Sequence, residues 1–306
     1  MKIGLNGGGH ARDLAVLRAQ AAGAAKDGLA AYWLSQITGP DALTALAVIG
    51  AETPALALGV SIVPIYGRHP VALAIQALTV QQACGGRLVL GIGVSHRAVV
   101  EGALGLNHER SFSYAREYLS ILQPLLRGET VNFAGKHVTA RAQLSIDAPA
   151  PAVVLAALAP RMLELAGRET DGCTTWMVGV RTLREHIVPG VTRAAEAAGR
   201  GAPRVVVGLP VCVTADRDRA RALAREQLAL YGVLPAYRQT LDREGVRGPE
   251  DLLITGAENE VLERLAAVAA AGATDLRVTE LCPDADDAAR TRSLLRRLVS
   301  RPEDLA

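Results

Sequence analysis

The run from Leu88 to His96, LVLGIGVSH, opens as a dinucleotide-binding strand would, with an apolar strand leading straight into Gly91-x-Gly93. In that fingerprint a third glycine follows three residues on, where the next helix packs against the strand. This chain has His96 there. A second glycine run, Gly7-x-Gly9 in GLNGGGHARD, fails the same test. It has no third glycine, and the second-strand window LAAYWLSQ, where a ribose would need an acid, has none. Neither run carries a P-loop lysine. Both therefore read as glycine-terminated strands of another architecture.

The surrounding pattern says which one. KIGL, AAYWLS, ALALGVSIVP, RLVLGIG, AVVLAA, GCTTWMV, RVVVGLPVCVT and DLRVTE are short apolar runs without polar alternation, as strands buried on both faces are. Each pairs with an Ala-, Leu- and Arg-rich helical stretch. Eight such units predict an α/β fold, a (β/α)8 TIM barrel, rather than a six-stranded doubly wound sheet. Helix starts are marked by Pro40-Asp41, Pro70 and Pro160, since a first-turn proline forfeits no hydrogen bond. Two insertions stand out. NFAGKHVTARAQLSIDAPAP, with AGK as a tight turn between extended runs, precedes the fifth strand; YGVLPAYRQTLDREGVRGPEDLLITG precedes the last helix and strand.

The 306 residues show no Ser- or Pro-rich spacer, so 1–306 reads as one domain. A net charge of +2 with dispersed arginines argues against a nucleic-acid partner. Apolar stretches are broken by Glu52, Pro54 and glycines, which argues against a membrane span. Cys84, Cys173, Cys212 and Cys282 lack metal-ligand spacing, and isolated thiols suit a reducing, cytoplasmic setting.

In such barrels chemistry gathers at the C-terminal strand ends. Those ends expose Asn6, Gln36, Ser61, Tyr66, His96, Trp176 and Met177, with Leu209-Pro210 closing the seventh strand and Glu280 the one carboxylate. The glycines before His96 leave room for a flat ring against backbone. His96 is the candidate proton donor, with an imidazole partly protonated at neutral pH. Of the others, His69 reads as fixing the turn before Pro70, while His108, His137 and His186 read as solvated. Paired acids of the glycosidase type are missing. An aromatic, amidic and hydroxylic lining suits a planar organic cofactor that the protein orients.

The stretch from Gly39 to His96, with GGRLVLGIG, and the run LRGETVNFAG resemble the bacterial luciferase-like superfamily, in particular its branch of oxidoreductases using the deazaflavin coenzyme F420. The resemblance implies a homodimeric barrel paired near its second and third units. It also implies a cis peptide at Ser61-Ile62 in a bulge behind the deazaflavin. Further cofactor contacts would come from Asn6, Gln36, Gly93, Val94 and Ser95. A phosphate-cradling turn would lie at Ala157, Leu158 and Ala159, with Arg161 on the helix that follows. Two departures matter. Relatives often carry a histidine after the second strand where this chain has Gln36 and Ile37, and its dehydrogenases place a glutamate where this chain has His96. The pattern is closer to the methylenetetrahydromethanopterin reductase type. The implied reaction is hydride transfer between the deazaflavin C5 and a small substrate with a C=C, C=N or C=O bond, with His96, Gln36 and Trp176 as catalytic candidates. An FMN-dependent luciferase-like monooxygenase and a non-catalytic flavin-binding barrel are the alternatives.

Overall fold

A computed structural model describes residues 1–8, 11–36 and 38–305 of the chain; Gly9 of the first glycine run and Ile37 lie outside the described residues. Eight parallel strands close into a barrel: β1 (Lys2–Asn6), β2 (Ala31–Leu34), β3 (Ala57–Pro64), β4 (Leu88–Gly93), β7 (Ala152–Ala156), β8 (Gly172–Trp176), β9 (Arg204–Val213) and β11 (Asp275–Glu280). β11 pairs with β1 on one side and β9 on the other, and β8 with β9, which completes the ring. The eight expected units are all present, and the closed barrel replaces any open sheet.

Pro70 and Pro160 open their helices as expected, while Pro40 lies ahead of the helix it was expected to open, whose cap is Asp41. Asp41 accepts from the Thr44 N–H at the head of helix Ala42–Glu52. His69 Nδ1 accepts from Val71 N ahead of helix Pro70–Ala83, while its Nε2 lies 3.0 Å from the Thr139 carbonyl. This is the turn-fixing role assigned to it. Helix Pro160–Glu169 begins on its proline, with no side-chain cap at Ala159.

Between the helices and the strands lies the main apolar shell, and the barrel interior holds a smaller core of Ala31, Trp33, Val89, Val154 and Val206. Trp33 fills the middle. A Cβ at Gly59 would overlap its indole, so the neighbouring strand stays bare to admit the ring. Below it, where β9 and β11 begin, Arg204 forms an ion pair with buried Asp275, at 2.5 and 2.8 Å.

The insertions take the forms that position the site. β5 (Val131–Ala134) and β6 (Thr139–Ala142) make an antiparallel hairpin around the AGK turn. Buried Glu117 accepts from the backbone N–H groups of Lys136, His137 and Val138. Burial pushes its carboxyl up, but those hydrogen bonds, with that of His137 first, outweigh it and hold it below the ordinary value. The second insertion folds into helices Ala229–Val233 and Pro235–Glu244 and the short strand β10 (Ile254–Gly256). β10 pairs with Val211–Val213, so β9 runs past Pro210 to Val213. The strand end expected at Leu209-Pro210 is thereby corrected: the added strand keeps the chain extended beyond its proline.

Candidate active site at the barrel mouth

The ends of β3 and β4 form one wall of the mouth. The β3–β4 register slips between Val60 and Val63, and within that bulge the Ser61-Ile62 peptide is cis. Each group of the bulge is held. The Ser35 hydroxyl donates to Ser61 O at 2.8 Å, Gln36 N donates to Ile62 O at 3.2 Å, and Ser61 Oγ lies 2.8 Å from Thr174 Oγ1 across the barrel. A Cβ at Gly91 would overlap the Val60 carbonyl oxygen, and one at Gly93 would lie 2.8 Å from Ala156 Cβ and 3.1 Å from Ile62 Cδ1. The two glycines of LVLGIG therefore make room for the bulge of the neighbouring strand. The expectation that they bare the backbone for a flat ring is corrected, because that space belongs to Val60 and Ile62. Ser95 next to them, and Met177 after β8, take left-handed backbone with φ of 58° and 54°. Non-glycine residues rarely adopt it, and it turns these strand ends sharply into the mouth.

The structure places the other candidates as follows. Asn6 is committed to β11: its amide donates to Thr279 Oγ1 and its carbonyl accepts from Arg277, both at 2.9 Å. Gln36 Oε1 accepts from Ala42 N at 2.7 Å, so it serves the following helix and leaves only its amide N–H groups for a ligand. Val94 and Leu158 offer their carbonyls to His108 at 3.2 Å and His186 at 2.8 Å. His137 lies 2.9 Å from Ser113 Oγ. All three histidines are half-buried and hydrogen-bonded, which corrects their reading as solvated; tertiary contacts with strand-end turns and the hairpin engage them. Ala157 is buried, while Ala159 and Arg161 are exposed at the uncapped helix start, the Arg161 guanidinium lying 4.0 Å above the Phe112 ring. Glu280 turns away from the mouth into a bidentate pair with Arg292.

His96 is half-buried and donates no cap; the segment after it winds as a π-type turn over Ala98–Ala103. Its ring packs 5.7 Å from that of Tyr237. Burial, reinforced by nearby His108, pushes its pKa below the usual value, which lowers the protonated share expected from the sequence.

Sequence reasoning missed the opposite wall, contributed by the second insertion. Tyr231 lies edge-on to Tyr237 at 4.9 Å and to Trp176 at 6.0 Å. Beneath them Arg277 is 3% exposed. It donates to Asn6 Oδ1 and, at 3.2 Å, to the Thr175 carbonyl, and its carbon lies 5.4 Å from the Trp176 ring. Burial pulls its pKa down to about 10, which leaves it charged at neutral pH. Among the described residues Arg277 Nε, Trp176 Nε1, Thr175 Oγ1 and Tyr66 Oη are buried without partners. The only sequence signal for Arg277 is a charge between the apolar Leu276 and Val278 in the middle of β11.

The family model described as luciferase-like monooxygenase matches residues 2–275. The chain is 30% identical over 221 residues to an F420-dependent glucose-6-phosphate dehydrogenase of Beutenbergia cavernae, covering 70% of this chain and 64% of that one. It is 26% identical over 208 residues to a 5,10-methylenetetrahydromethanopterin reductase of Methanolobus tindarius, covering 67% and 63%. The fold matches the coenzyme F420 dependent tetrahydromethanopterin reductase of Methanopyrus kandleri with a TM-score of 0.80 at 18% identity, covering 97% of each chain.

Proposed function

The chain belongs to the luciferase-like monooxygenase family, and from that premise we propose that it is a coenzyme F420-dependent oxidoreductase acting on a small unsaturated organic substrate. The observation that carries the reading is the naming of sequence relatives for F420 or for methylenetetrahydromethanopterin reduction. The mouth fits a planar carrier. It presents partnerless donors in Tyr66 Oη and Trp176 Nε1, a clamped bulge on one side, and an uncapped helix start beside Arg161 for an anion. Among the described residues no three His, Cys, Asp or Glu side chains gather as metal ligands.

When bound, deazaflavin supplies a hydride-transferring carbon and little reactivity toward oxygen. The chain's own residues do the rest. Ser35, Gln36 and Thr174 hold the Ser61–Ile62 bulge against which the ring would rest, with Gly93, Val94 and Ser95 along its edge. Ala157, Leu158, Ala159 and Arg161, at the uncapped start of helix Pro160–Glu169, would hold the phosphate end. Asn6 holds the Arg277 guanidinium. Tyr231 and Tyr237 exclude water above Trp176. His96 carries the proton to or from the substrate atom that gains or loses charge. Its lowered pKa favours accepting a proton at neutral pH and donating one in acid.

The reading takes 1–306 as one unit working as a homodimer in the reducing cytoplasm. The exposed Val48 and Ile75 on the second and third helices support the pairing, and four unpaired thiols support the setting. Among the described residues no helix is long and apolar enough to cross a membrane. Titration with F420 and with FMN tests the cofactor. F420 is expected to bind and Gly93→Val, by displacing Ile62, to weaken it at least about tenfold. Binding of FMN alone would transfer the site to the monooxygenase reading.

A further inference from the structure

The barrel interior contains two arginines with opposite circumstances. Arg204 meets a carboxylate, Asp275. Arg277, two residues further along β11, is more deeply buried, yet its partners among the described residues are the Asn6 amide and the Thr175 carbonyl, both neutral. Among the described residues its Nε has no partner, nor has Trp176 Nε1 beside it. Both atoms are donors only, so only an acceptor can satisfy them. A guanidinium desolvated this far without a counter-ion is costly to the fold.

The surroundings are built to keep it. A Cβ at Gly208 would lie 2.6 Å from the guanidinium carbon and 2.8 Å from the Trp176 ring, so β9 stays bare to admit both groups. Tyr231 and Tyr237 cover them, and the aromatic contacts run on without a break to His96. What is missing is an acceptor, and an anionic one balances the charge.

We propose that Arg277 is a substrate-anion receptor: the substrate carries a carboxylate, received by Arg277 Nε–H and Trp176 Nε1–H beneath Tyr231 and Tyr237, with its reacting bond toward His96. This names the substrate class of the site described above and rests on reading the mouth as the hydride-transfer centre. The same oxyanion chemistry could come from the cofactor, and the test separates the two sources.

The full chain, without cofactor, is unfolded thermally with acetate, benzoate or neutral benzamide at constant ionic strength. Benzoate at about ten times its Kd is expected to raise Tm by roughly 2–4 °C and benzamide not at all. Arg277→Met should abolish that rise while unfolding no earlier than wild type, since it removes an unpaired buried charge. Arg277→Lys should retain part of the rise. F420 affinity of Arg277→Met should stay within about threefold of wild type. Absence of protection by either carboxylate, or equal protection of Arg277→Met, overturns the proposal. Earlier unfolding of Arg277→Met also overturns it, assigning the guanidinium to holding Asn6 and Thr175. Loss of F420 binding in that variant overturns it in favour of the cofactor. If wild type binds benzoate but no F420, the cofactor reading fails and the anion receptor stands.

Discussion

The two ends of the barrel treat the same kind of residue differently. At the N-terminal end the Arg204 charge is answered by Asp275 and by packing 5.8 Å from Trp33, and the structure is complete without a ligand. At the C-terminal end Arg277 is answered only by neutral groups, and partnerless donors surround it. The contrast divides a barrel into an end that secures the fold and an end that tolerates unpaired groups for chemistry. Within the mouth the Ser61–Ile62 bulge is held by Ser35, Gln36 and Thr174, whereas Arg277 and Trp176 opposite keep partnerless donors.

Substituting His96, at the seam between the two walls, is expected to have the largest effect. His96→Ala should lower kcat about 10²–10⁴-fold, roughly 3–5 kcal/mol of barrier, with F420 affinity nearly unchanged. In the reductive direction the wild-type rate should climb as pH falls toward the lowered His96 pKa, and the variant should lose that climb. Full activity with reduced Tm would return His96 to a structural role.

Next comes the closed end. Asp275→Ala leaves Arg204 partly buried without its carboxylate and should cost about 3 kcal/mol by denaturant unfolding. Set beside an undiminished Arg277→Met, this would give the two ends opposite responses to loss of a charge. Similar losses in both would erase the distinction between them.

Gly91→Ala tests the clamped wall. Its Cβ meets the Val60 carbonyl, which cannot move without releasing the bulge, so a loss of about 2 kcal/mol is expected, along with weakened F420 binding. Unchanged stability would show the bulge to be compliant.

The smallest effect lies outside the barrel. Glu117→Gln keeps the hairpin's shape but weakens three charge-assisted bonds, for about 1 kcal/mol at neutral pH. Because folding lowers the Glu117 pKa, its contribution is present above the ordinary carboxylate value of about 4.3 and lost as pH falls through the lowered one. The Tm difference between variant and wild type should therefore close in acid. A difference that persists there would detach it from the carboxylate charge.

By itself the amino-acid sequence determined the repeating strand and helix units, their closure into a barrel, the helix starts at Asp41, His69 and Pro160, and the AGK hairpin. These depend on apolar periodicity and on backbone chemistry within a few residues, which a linear pattern carries. The strand-end rule drew attention to His96, and the resemblance to the luciferase-like superfamily to Ser61-Ile62. Only the tertiary structure decided what the glycines of LVLGIG are for, since Val60 and Ile62 reach them from another strand. The same holds for the half-buried histidines on Val94 and Leu158, and for Arg277 beneath Tyr231 and Tyr237. In each case the deciding partner is far away in sequence. Whether a charge is paired, or a histidine protonated, follows from desolvation and neighbours that exist only once the barrel has closed.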